Sequence, residues 1–207
     1  AGPTFEAIDP VRGITNLSSG RMGYAVARAA RHAGAEVTLV SGPVSFSAPQ
    51  GVDRINVRSA LEMHAAVMAR AVAADIFVAV AAVADYRVAN SAEHKLKKDA
   101  GGMPPIELIE NPDILAEVAA LEKGPFCVGF AAESQNLEAY AQAKRRKKNI
   151  PLIAGNLIQD GFGGDDNRLV LFDDAGVHPL NPAPKSVLAR QLVEHIAYLT
   201  GNKDASY

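Results

Sequence analysis

The chain has 207 residues, of which 48% are hydrophobic, and this is enough to form one domain around a single core. Its formal net charge of -2 gives no field that would attract nucleic acid or an anionic membrane surface, so small molecules or another protein surface are the expected partners. One cysteine, Cys127, excludes a disulfide framework, and no apolar run approaches the about 20 residues needed to cross a bilayer. The first residues lack the basic and apolar regions of a signal peptide, so we expect a soluble, cytoplasmic protein.

Three elements are predicted in the first third of the chain. Ser18–Gly23 (S-S-G-R-M-G) leads into an apolar stripe at helical spacing, which predicts a helix with Gly34 as its C-cap. Val37–Val40 has the pattern of a buried strand. Ser59–Glu62 (S-A-L-E) is a capping box, so we expect a second helix that continues to about Ala74.

A long apolar segment and a polar insertion follow. Ile76–Ala84 is continuously apolar, which is typical of a strand covered on both faces. The next residues, about 86–105, are polar and lysine-bearing and show no hydrophobic period, so they predict a mobile flap without regular structure. Order is expected again at Ile106–Ile109. Asn111–Asp113 (N-P-D) then predicts a helix start, with an N-cap asparagine, a proline at the first helical position and an acid in the first turn.

The last part of the chain predicts further elements of both kinds. They are strands at Phe126–Ala131 and Leu152–Ala154, a helix from about Leu137 to Lys148, a hairpin of Arg168–Phe172 and Val177–Leu180, and a closing helix with an apolar stripe at Leu188, Leu192, Ile196 and Leu199. Because strands alternate with helices, we predict an α/β fold: a Rossmann-like three-layer domain with a mostly parallel central sheet. Residues 1–207 show neither an internal repeat nor a second domain.

The first residues, Ala1–Thr4 (A-G-P-T), are typical of a turn that follows a first strand, yet no strand precedes them in this sequence. We therefore expect the chain to be a fragment of a longer polypeptide, or to lack its first residues.

The glycine-rich loop Ser18–Gly23 is the first candidate site. Short residues ahead of a helix expose unpaired backbone N–H groups, and the helix dipole adds partial positive charge there, so phosphate or carboxylate is the fitting ligand. The loop has neither the dinucleotide-binding pattern G-x-G-x-x-G nor the Gly-Lys-Ser/Thr ending of a P-loop. A close-packed turn with an ordinary serine cap is the alternative.

Other polar residues could complete a site, and each also has a structural interpretation. The amide of Asn16 suits a carbonyl or a polar intermediate, or it bonds its own turn. Asp85 ends the apolar strand, where a carboxylate can contact a ligand, hold a metal or form a turn. The lysines of Lys95–Lys98 can close over a polyphosphate or remain solvated. Lys144 and Lys148 share one helix face, which favours a surface pair that complements the helix dipole.

The remaining reactive residue types predict no chemistry of their own. The five histidines lack metal-ligand spacing, and among them only His94 falls in the suspected site. Cys127 lies in an apolar strand, where a buried and inert thiol is expected. No Ser/His/Asp arrangement can be proposed, so any chemistry must depend on phosphate handling and positioning.

Several motifs together resemble one family. The segments Ala1–Arg12 (A-G-P-T-F-E-A-I-D-P-V-R) and Ile14–Gly23 (I-T-N-L-S-S-G-R-M-G) closely resemble bacterial phosphopantothenoylcysteine synthetase, the CoaB domain of the bifunctional CoaBC (Dfp) proteins. The motifs that recur in the family's order are A-A-V-A-D-Y-R at Ala81–Arg87, K-L-K-K at Lys95–Lys98, N-P-D-I at Asn111–Ile114, G-F-A-A-E at Gly129–Glu133 and K-R-R-K-K-N at Lys144–Asn149. One departure is Phe5, which stands where the family commonly has arginine.

The resemblance implies a two-step ligation in coenzyme A biosynthesis. CTP reacts with the carboxylate of 4′-phosphopantothenate to give an acyl-cytidylate and pyrophosphate, and the amine of cysteine then displaces CMP. The family uses a divalent cation, normally Mg²⁺, and works as a homodimer. Family members are usually fused to a flavin-dependent decarboxylase half, which this sequence does not contain, so the resemblance assigns neither decarboxylation nor FMN to this chain.

The resemblance also implies roles for individual residues. Asn16 matches the residue that stabilises the acyl-cytidylate, and Lys95 matches the flap lysine needed to form it. Together with the loop residues Ser18, Ser19, Gly20 and Gly23, the predicted nucleotide-binding positions are Ala79, Val80, Ala81, Asp85, Lys95, Asn111, Pro112, Asp113, Ile114, Phe130, Lys144 and Lys148. The sequence does not specify the metal ligands.

Two other functions remain open at this stage. A Rossmann-type nicotinamide-dependent oxidoreductase would need an acidic ribose-binding residue, and Glu36 is the only acid near that place. A nucleotide-sensing or assembly module would bind without turnover. Several cations on a flap favour the ligase over such a module, because a sensor has less need of charge aimed at a leaving pyrophosphate.

Overall fold

The computed structural model of the chain describes residues 1–97, 105–158 and 166–201. The helices are α1 (Arg21–His32), α2 (Ala60–Ala71), α3 (Ile114–Ala119), α4 (Leu137–Lys148) and α5 (Lys185–Leu199). The strands are β1 (Phe5–Asp9), β2 (Arg12–Thr15), β3 (Thr38–Ser41), β4 (Asp53–Asn56), β5 (Ile76–Ala79), β6 (Tyr86–Val88), β7 (Leu108–Glu110), β8 (Phe126–Glu133), β9 (Leu152–Leu157), β10 (Asp166–Asn167), β11 (Val170–Phe172), β12 (Val177–Pro179) and β13 (Ala183–Pro184).

A five-stranded sheet in the order β12-β11-β9-β8-β5 forms the centre of the fold. Its strands β5, β8 and β9 run parallel, and β11 and β12 add an antiparallel hairpin at one edge. Next to β5, residues 1–4 lie between the segment after β5 and the end of β3. The amide of Ala82 donates to the Gly2 carbonyl (3.0 Å) and that of Gly42 donates to the Ala1 carbonyl (2.9 Å). The parallel pair β3–β4 thus continues the same layer, and the predicted mostly parallel sheet is confirmed.

Helices cover both faces of this sheet, because successive strand residues point to opposite sides. On β8, Cys127 packs in the cluster with α2, α3 and α4, whereas Val128 packs in the cluster with α1 and α5. On β9, Ile153 likewise packs in the cluster with α2, α3 and α4, and Leu152 packs in the cluster with α1 and α5. The predicted three-layer α/β architecture follows from this burial on both faces, which is why the first residues of both strands are continuously apolar.

Several sequence predictions are confirmed with small shifts. The helix Leu137–Lys148 has the expected bounds, and the closing helix and the hairpin of β11 and β12 are present. Helix α1 has Ala33 as its C-cap, and Gly34 follows with φ 91°, the left-handed conformation that glycine adopts most easily. Helix α2 ends at Ala71 rather than near Ala74.

Two predictions from apolar or polar runs are wrong. The strand predicted over Ile76–Ala84 ends at Ala79, because the backbone beyond it bonds to residues 1–4 rather than to β8. The segment predicted to lack regular structure contains β6, which pairs antiparallel with β7 as a narrow ribbon. Strands of three residues are too short to show a period in sequence. Part of the predicted flap, residues 98–104 with Lys98, lies outside the described residues, and its mobility stays a prediction.

Other short strands were also not predicted, namely β1, β2, β4, β10 and β13. β1 and β2 form an antiparallel hairpin, and β4 pairs with β3. In β1 and β4, polar residues such as Glu6 occupy buried or half-buried positions. The alternation of apolar and polar residues that marks a strand is therefore not visible in the sequence. The Glu6 carboxylate accepts from the amide of Ala60 (2.9 Å) at the start of α2, where the helix dipole favours a negative charge.

Two predictions about individual properties can also be compared with the structure. Cys127 is a buried free cysteine, as predicted, and burial raises the pKa of its thiol to about 11, which favours the predicted unreactive role. Within the described part of the chain, no helix has both the length and the apolar character needed to cross a membrane.

Replacing a core leucine tests how much the sheet depends on this packing. Leu152 is fully buried, and Leu152→Ala should lower the free energy of unfolding by about 2–5 kcal/mol, because a cavity replaces the lost side chain. Leu61→Ala is the matched control, since Leu61 on α2 is 46% exposed, and it should change stability by about 0.5 kcal/mol or less. Urea denaturation of both variants measures the difference; equal losses would contradict the assigned core.

Candidate functional site

The glycine-rich segment Ser18–Gly23 follows β2 and includes the first three residues of α1, and it lies next to the first two residues of the chain. Gly20 is the N-cap of α1 and has φ 77°, and a Cβ on it would lie 2.8 Å from Val44 Cγ1. A Cβ on Gly23 would lie 2.6 Å from that of Ala1. The close-packed interpretation of these two glycines is therefore correct, because neither position has space for a side chain.

The two serines of the loop accept hydrogen bonds from backbone amides at the start of α1. Ser18 Oγ accepts from the amide of Gly20 (3.3 Å), and Ser19 Oγ accepts from the amide of Arg21 (3.4 Å). Neither serine is a helix N-cap, so the interpretation as an ordinary serine cap is wrong. The loop thus presents small polar side chains and the amino end of a 12-residue helix at one place, which is an arrangement that suits an anion.

Asn16 connects this loop to the segment that follows β5. Its Nδ2 donates to the Ala82 carbonyl oxygen (3.0 Å), and the amide of Thr4 donates to the same oxygen (3.2 Å). The side chain is exposed, so it is held in place from one side and open to a ligand on the other. The alternative in which Asn16 bonds its own turn is wrong, because the partner is 66 residues away.

A second group of predicted residues lies at the base of the β6–β7 ribbon. The amide of Asn111 donates to the Asp85 carbonyl (2.8 Å), and its Nδ2 donates to the Ala84 carbonyl (2.8 Å). Arg87 Nη1 donates to Asn111 Oδ1 (3.2 Å). The predicted N-cap role of Asn111 is wrong: Asp113 caps α3 by accepting from the amide of Ala116 (3.1 Å), and the helix starts at Ile114. Asn111 does not cap the helix, because its backbone and side chain instead bond to residues at the start of β6 and so join the two strands of the ribbon.

Two of the three lysines of α4, Lys144 and Lys148, point into the molecule rather than along its surface. Lys144 Nζ donates to the Phe130 carbonyl oxygen on β8 (2.7 Å), and Lys148 Nζ forms an ion pair with Asp113. The side chain of Lys148 is only 15% exposed. The interpretation as a solvated surface pair is therefore wrong, and both lysines belong to the group around Asp113.

Burial dominates the electrostatics of this group. It lowers the pKa of Lys144 from its usual value, and the charge of Lys148 lowers it further, against the opposing effect of Glu133, Asp113 and Asp85. Burial alone would raise the pKa of Asp113, but the hydrogen bonds from Lys148 and from the amide of Ala116, together with the charges of Lys148 and Lys144, outweigh it and the pKa is lowered. The group is thus a partly desolvated cation pair with carboxylates nearby, which suits a polyanion.

Both groups lie beyond the carboxyl ends of the parallel strands. Ala79 ends β5 and pairs with Gly129 on β8, next to Phe130, and the segment from Ala79 to Ala84 runs from one group to the other. In open α/β sheets this edge is where ligands bind. The structure therefore brings together the predicted loop, strand-end and lysine residues in one region of the fold.

Lys95 lies in the predicted flap, beyond β6, and its side chain is exposed. The side chains of His94 and Lys97 are exposed as well. The backbone of Leu96, the next residue, contacts the side chains of Asp9 and Arg12. Sequence reasoning assigned no role to Asp9, Arg12 or Arg87, although D-P-V-R has the i, i+3 spacing at which an acid and a base can pair. Asp9 and Arg12 join the flap to the β1–β2 hairpin through Leu96, and Arg87 joins it to Asn111.

A known protein family matches nearly the whole chain. The family model of the DNA/pantothenate metabolism flavoprotein C-terminal domain matches residues 1–199. The chain belongs to this family. The resemblance of its motifs to the CoaB domain of the CoaBC proteins is thereby confirmed.

Individual members of the family are similar over nearly the whole chain. The coenzyme A biosynthesis bifunctional protein CoaBC of Vibrio cholerae is 52% identical over 201 residues, which cover 95% of this chain and 50% of that protein. The crystal structure of the C-terminal domain of a CoaBC protein superposes with a TM-score of 0.83 at 37% identity, covering 98% of this chain and 94% of that one. The chain spans about half the length of the curated relatives it matches.

A more distant structure shares the fold. It is a histidine-to-alanine mutant of Cab2 in complex with phosphopantothenate-cysteine, with a TM-score of 0.78, 15% identity, and coverage of 98% of this chain and 87% of that one. At this identity the likeness concerns the fold alone.

Removing the Asn111 side chain tests its role as a structural link within the site. Asn111→Ala should lower the free energy of unfolding by about 1–3 kcal/mol, because it leaves the Ala84 carbonyl and one Arg87 N–H without their partner. Asn56→Ala on the exposed end of β4 is the control and should be nearly neutral. Thermal and urea unfolding measure both; a stable Asn111→Ala variant would contradict the proposed link.

Proposed function

We propose that the chain catalyses the ligation of 4′-phosphopantothenate to cysteine with CTP. In the first step the carboxylate attacks the α-phosphorus of CTP, the bond to the bridging oxygen breaks, and pyrophosphate leaves. In the second step the amine of cysteine attacks the acyl carbon of the acyl-cytidylate, CMP leaves, and the amine loses a proton as the amide forms. The observation that carries the proposal is the convergence of the loop, the strand ends and the α4 lysines at one edge of the sheet in a chain of this family.

The comparisons support this proposal at the level of the pathway and the product. The CoaBC relatives are named for coenzyme A biosynthesis, and a structure with the same fold holds phosphopantothenate-cysteine. A carboxylate is unreactive toward amines until its oxygen becomes part of a better leaving group, so a nucleotide that supplies such a group fits a site rich in phosphate-binding features.

The triphosphate of CTP fits the group of residues around Asp113 that includes Lys144 and Lys148. Lys144 and Lys148 place two cations side by side at i and i+4, partly desolvated and anchored by the Phe130 carbonyl and Asp113. In such surroundings each cation interacts with phosphate more strongly than it would in water. We infer that this group contacts CTP, with Ala79–Ala81 and Asn111–Ile114 forming the adjacent backbone walls.

A divalent cation such as Mg²⁺ fits Asp85. Mg²⁺ is usually held by one or two carboxylates together with substrate phosphates and water, and Asp85 is an exposed carboxylate close to the α4 lysines. Within the described residues, the only cluster of three potential metal-binding side chains is Asp173, His178 and His195, away from this group. The phosphates would therefore supply most of the ligands, and the cation would offset charge on the leaving pyrophosphate.

Asn16 and Lys95 are the proposed catalytic residues. One N–H of the Asn16 amide is used by the Ala82 carbonyl, which fixes the orientation of the side chain. Its other N–H and its oxygen suit the polar acyl-cytidylate, which we infer that Asn16 stabilises. Lys95, on the flap, is proposed to offset the charge that develops as pyrophosphate leaves.

The family resemblance also supports a homodimer, a cytoplasmic location and, because the relatives are bifunctional and about twice as long, association with a flavin-dependent decarboxylase half. These remain proposals.

Pyrophosphate release provides the direct test of this function. With 4′-phosphopantothenate and Mg²⁺, CTP should release pyrophosphate faster than ATP, GTP or UTP before cysteine is added, and cysteine should then convert the intermediate to product and CMP. CTP should also raise the melting temperature more than ATP or NAD, because a ligand that binds only the native state stabilises it. Stabilisation by NAD without pyrophosphate release would favour a nicotinamide-dependent oxidoreductase, and CTP binding without turnover would favour a sensing module.

Two lysines of α4 provide a matched pair of variants. Lys144→Met should weaken CTP binding about 10- to 100-fold, because the variant cannot donate the charge-assisted hydrogen bond to phosphate that we infer for Lys144, which is worth about 1.5–3 kcal/mol. Lys147→Met changes an exposed lysine on the same helix and should leave binding within about twofold. Calorimetric titration with CTP measures both affinities; similar affinities for the two variants would argue against the assigned phosphate site.

A further inference from the structure

The β1–β2 hairpin holds the flap at the residue next to Lys95. Asp9 lies at the end of β1 and is only 1% exposed. Its Oδ1 accepts from the amides of Val11 and Arg12 (2.9 Å each), which closes the turn of the hairpin. Its Oδ2 accepts from Arg12 Nε (2.9 Å) and from the amide of Leu96 (3.2 Å).

Arg12 completes the contact from the other side. Its Nη2 donates both to Asp9 Oδ2 and to the Leu96 carbonyl oxygen, the latter at 2.8 Å. The amide and the carbonyl of a single flap residue are therefore both bound by one ion pair that lies more than 80 residues away in sequence. We call the side chains of Asp9 and Arg12 with the backbone of Leu96 the clamp.

The hairpin turn does not require this arrangement. Oδ1 alone satisfies the two turn amides, whereas Oδ2 and the outer nitrogen of Arg12 are directed at Leu96. A second bond ties the same flap segment to β1, because the amide of Ala92 donates to the Ile8 carbonyl (2.9 Å). The segment from Ala92 to Leu96, which carries Lys95, is thus fixed at both ends.

The clamp stays ionic at neutral pH. The hydrogen bond from Arg12 holds the pKa of Asp9 well below its usual range, against the opposing effect of burial and with help from the amides of Val11, Leu96 and Arg12. An ionised carboxylate with a guanidinium partner forms stronger and more directional hydrogen bonds than a neutral amide does. Because Oδ2 contacts Leu96 whereas Oδ1 accepts from the turn amides, we expect a change at Oδ2 to affect the geometry at Leu96 more than the shape of the hairpin.

The same hairpin also leads into the other proposed catalytic residue. β2 ends at Thr15, and Asn16 follows directly and bonds to the Ala82 carbonyl. Thr15 Oγ1 donates to the Thr4 carbonyl (2.7 Å), which fixes this end of the hairpin against residues 1–4. One rigid two-stranded unit therefore supports Asn16 at one end and the Lys95 segment at the other.

We propose that Asp9 and Arg12 are positioning residues for acyl-cytidylate formation, because their clamp on Leu96 sets where the Lys95 side chain begins. This inference rests on the role of Lys95 in the proposed function. A lysine has a long and flexible side chain, so its ammonium reaches a developing charge efficiently only when its backbone is fixed. A displacement of about 1 Å in such a group can cost about 100-fold in rate.

The isosteric variant Asp9→Asn tests the clamp. It keeps an oxygen for the two turn amides but places an NH₂ group opposite the Arg12 guanidinium and the Leu96 amide. We expect kcat for pyrophosphate release to fall about 10- to 100-fold, while KM for CTP stays within about threefold because the α4 lysines are unchanged. Amide hydrogen exchange at Leu96 should become faster, and circular dichroism should remain native. Glu93→Gln, an exposed change in the same segment, is the control and should alter neither quantity.

Combining variants separates a positioning role from a merely structural one. If Asp9 acts through Lys95, adding Asp9→Asn to Lys95→Gln should cause no further loss, because residues that act as a unit are not additive. Full additivity would overturn the inference, as would a normal kcat in Asp9→Asn when Lys95→Gln is impaired. Normal pyrophosphate release in Lys95→Gln itself would instead contradict the proposed role of Lys95.

Arg12→Lys decides the question if Asp9→Asn fails to fold. It keeps the positive charge beside Asp9 but lacks the second nitrogen that reaches the Leu96 carbonyl. The expected results are again a lower kcat with KM for CTP nearly unchanged, faster exchange at Leu96 and no further loss in the Lys95→Gln background. Activity and exchange equal to those of the unmodified chain would overturn the inference.

Discussion

The backbone hydrogen bonds of residues 1–4 are the constraint on which the rest of the site depends. This short segment fills the place between β3 and the end of β5, where the Ala1 carbonyl accepts from Gly42 and the Gly2 carbonyl accepts from Ala82. Gly20 and Gly23 pack directly on it, so the position of the serine loop follows from the position of the sheet. Asn16 bonds the same Ala82 residue. Backbone pairing thus fixes the relative positions of loop, asparagine and strand end before any ligand binds.

The two groups of site residues use different kinds of support. Around the serine loop, small residues let backbone segments approach closely, and the polar contacts are made to backbone atoms. Around α4, long cationic side chains are oriented by a carbonyl at Phe130 and a carboxylate at Asp113. The first arrangement has little side-chain freedom to lose, because its residues are small, and the charges of the second interact more strongly because they are partly shielded from water. An acid–nucleotide condensation needs both properties, one for orientation and one for charge.

The sequence predicts the elements whose signal lies within one helix or strand. Helix α4 and the buried strands β8 and β9 have clear periods or continuous apolar runs, and the family motifs contain most of the candidate site residues. What it cannot predict depends on partners far away in the chain. The end of β5 at Ala79 follows from pairing with residues 1–4, and Asn111 is a strand link rather than a cap because Ala84 and Arg87 lie beside it. Lys144 and Lys148 have the spacing of a surface pair, and only the approach of β8 and α3 buries them.

The burial of Lys144 has a consequence for the energetics of the whole domain. A lysine whose pKa is lowered in the folded state costs folding free energy when it is protonated, so this cost is present at neutral pH and declines as the pH rises toward the lysine's ordinary pKa. An apolar residue at this position would remove that cost from the ligand-free protein, but it could not bind an anion. A polyanion bound at the proposed site would favour the protonated lysine, so part of the folding free energy lost by burying Lys144 would return as binding affinity.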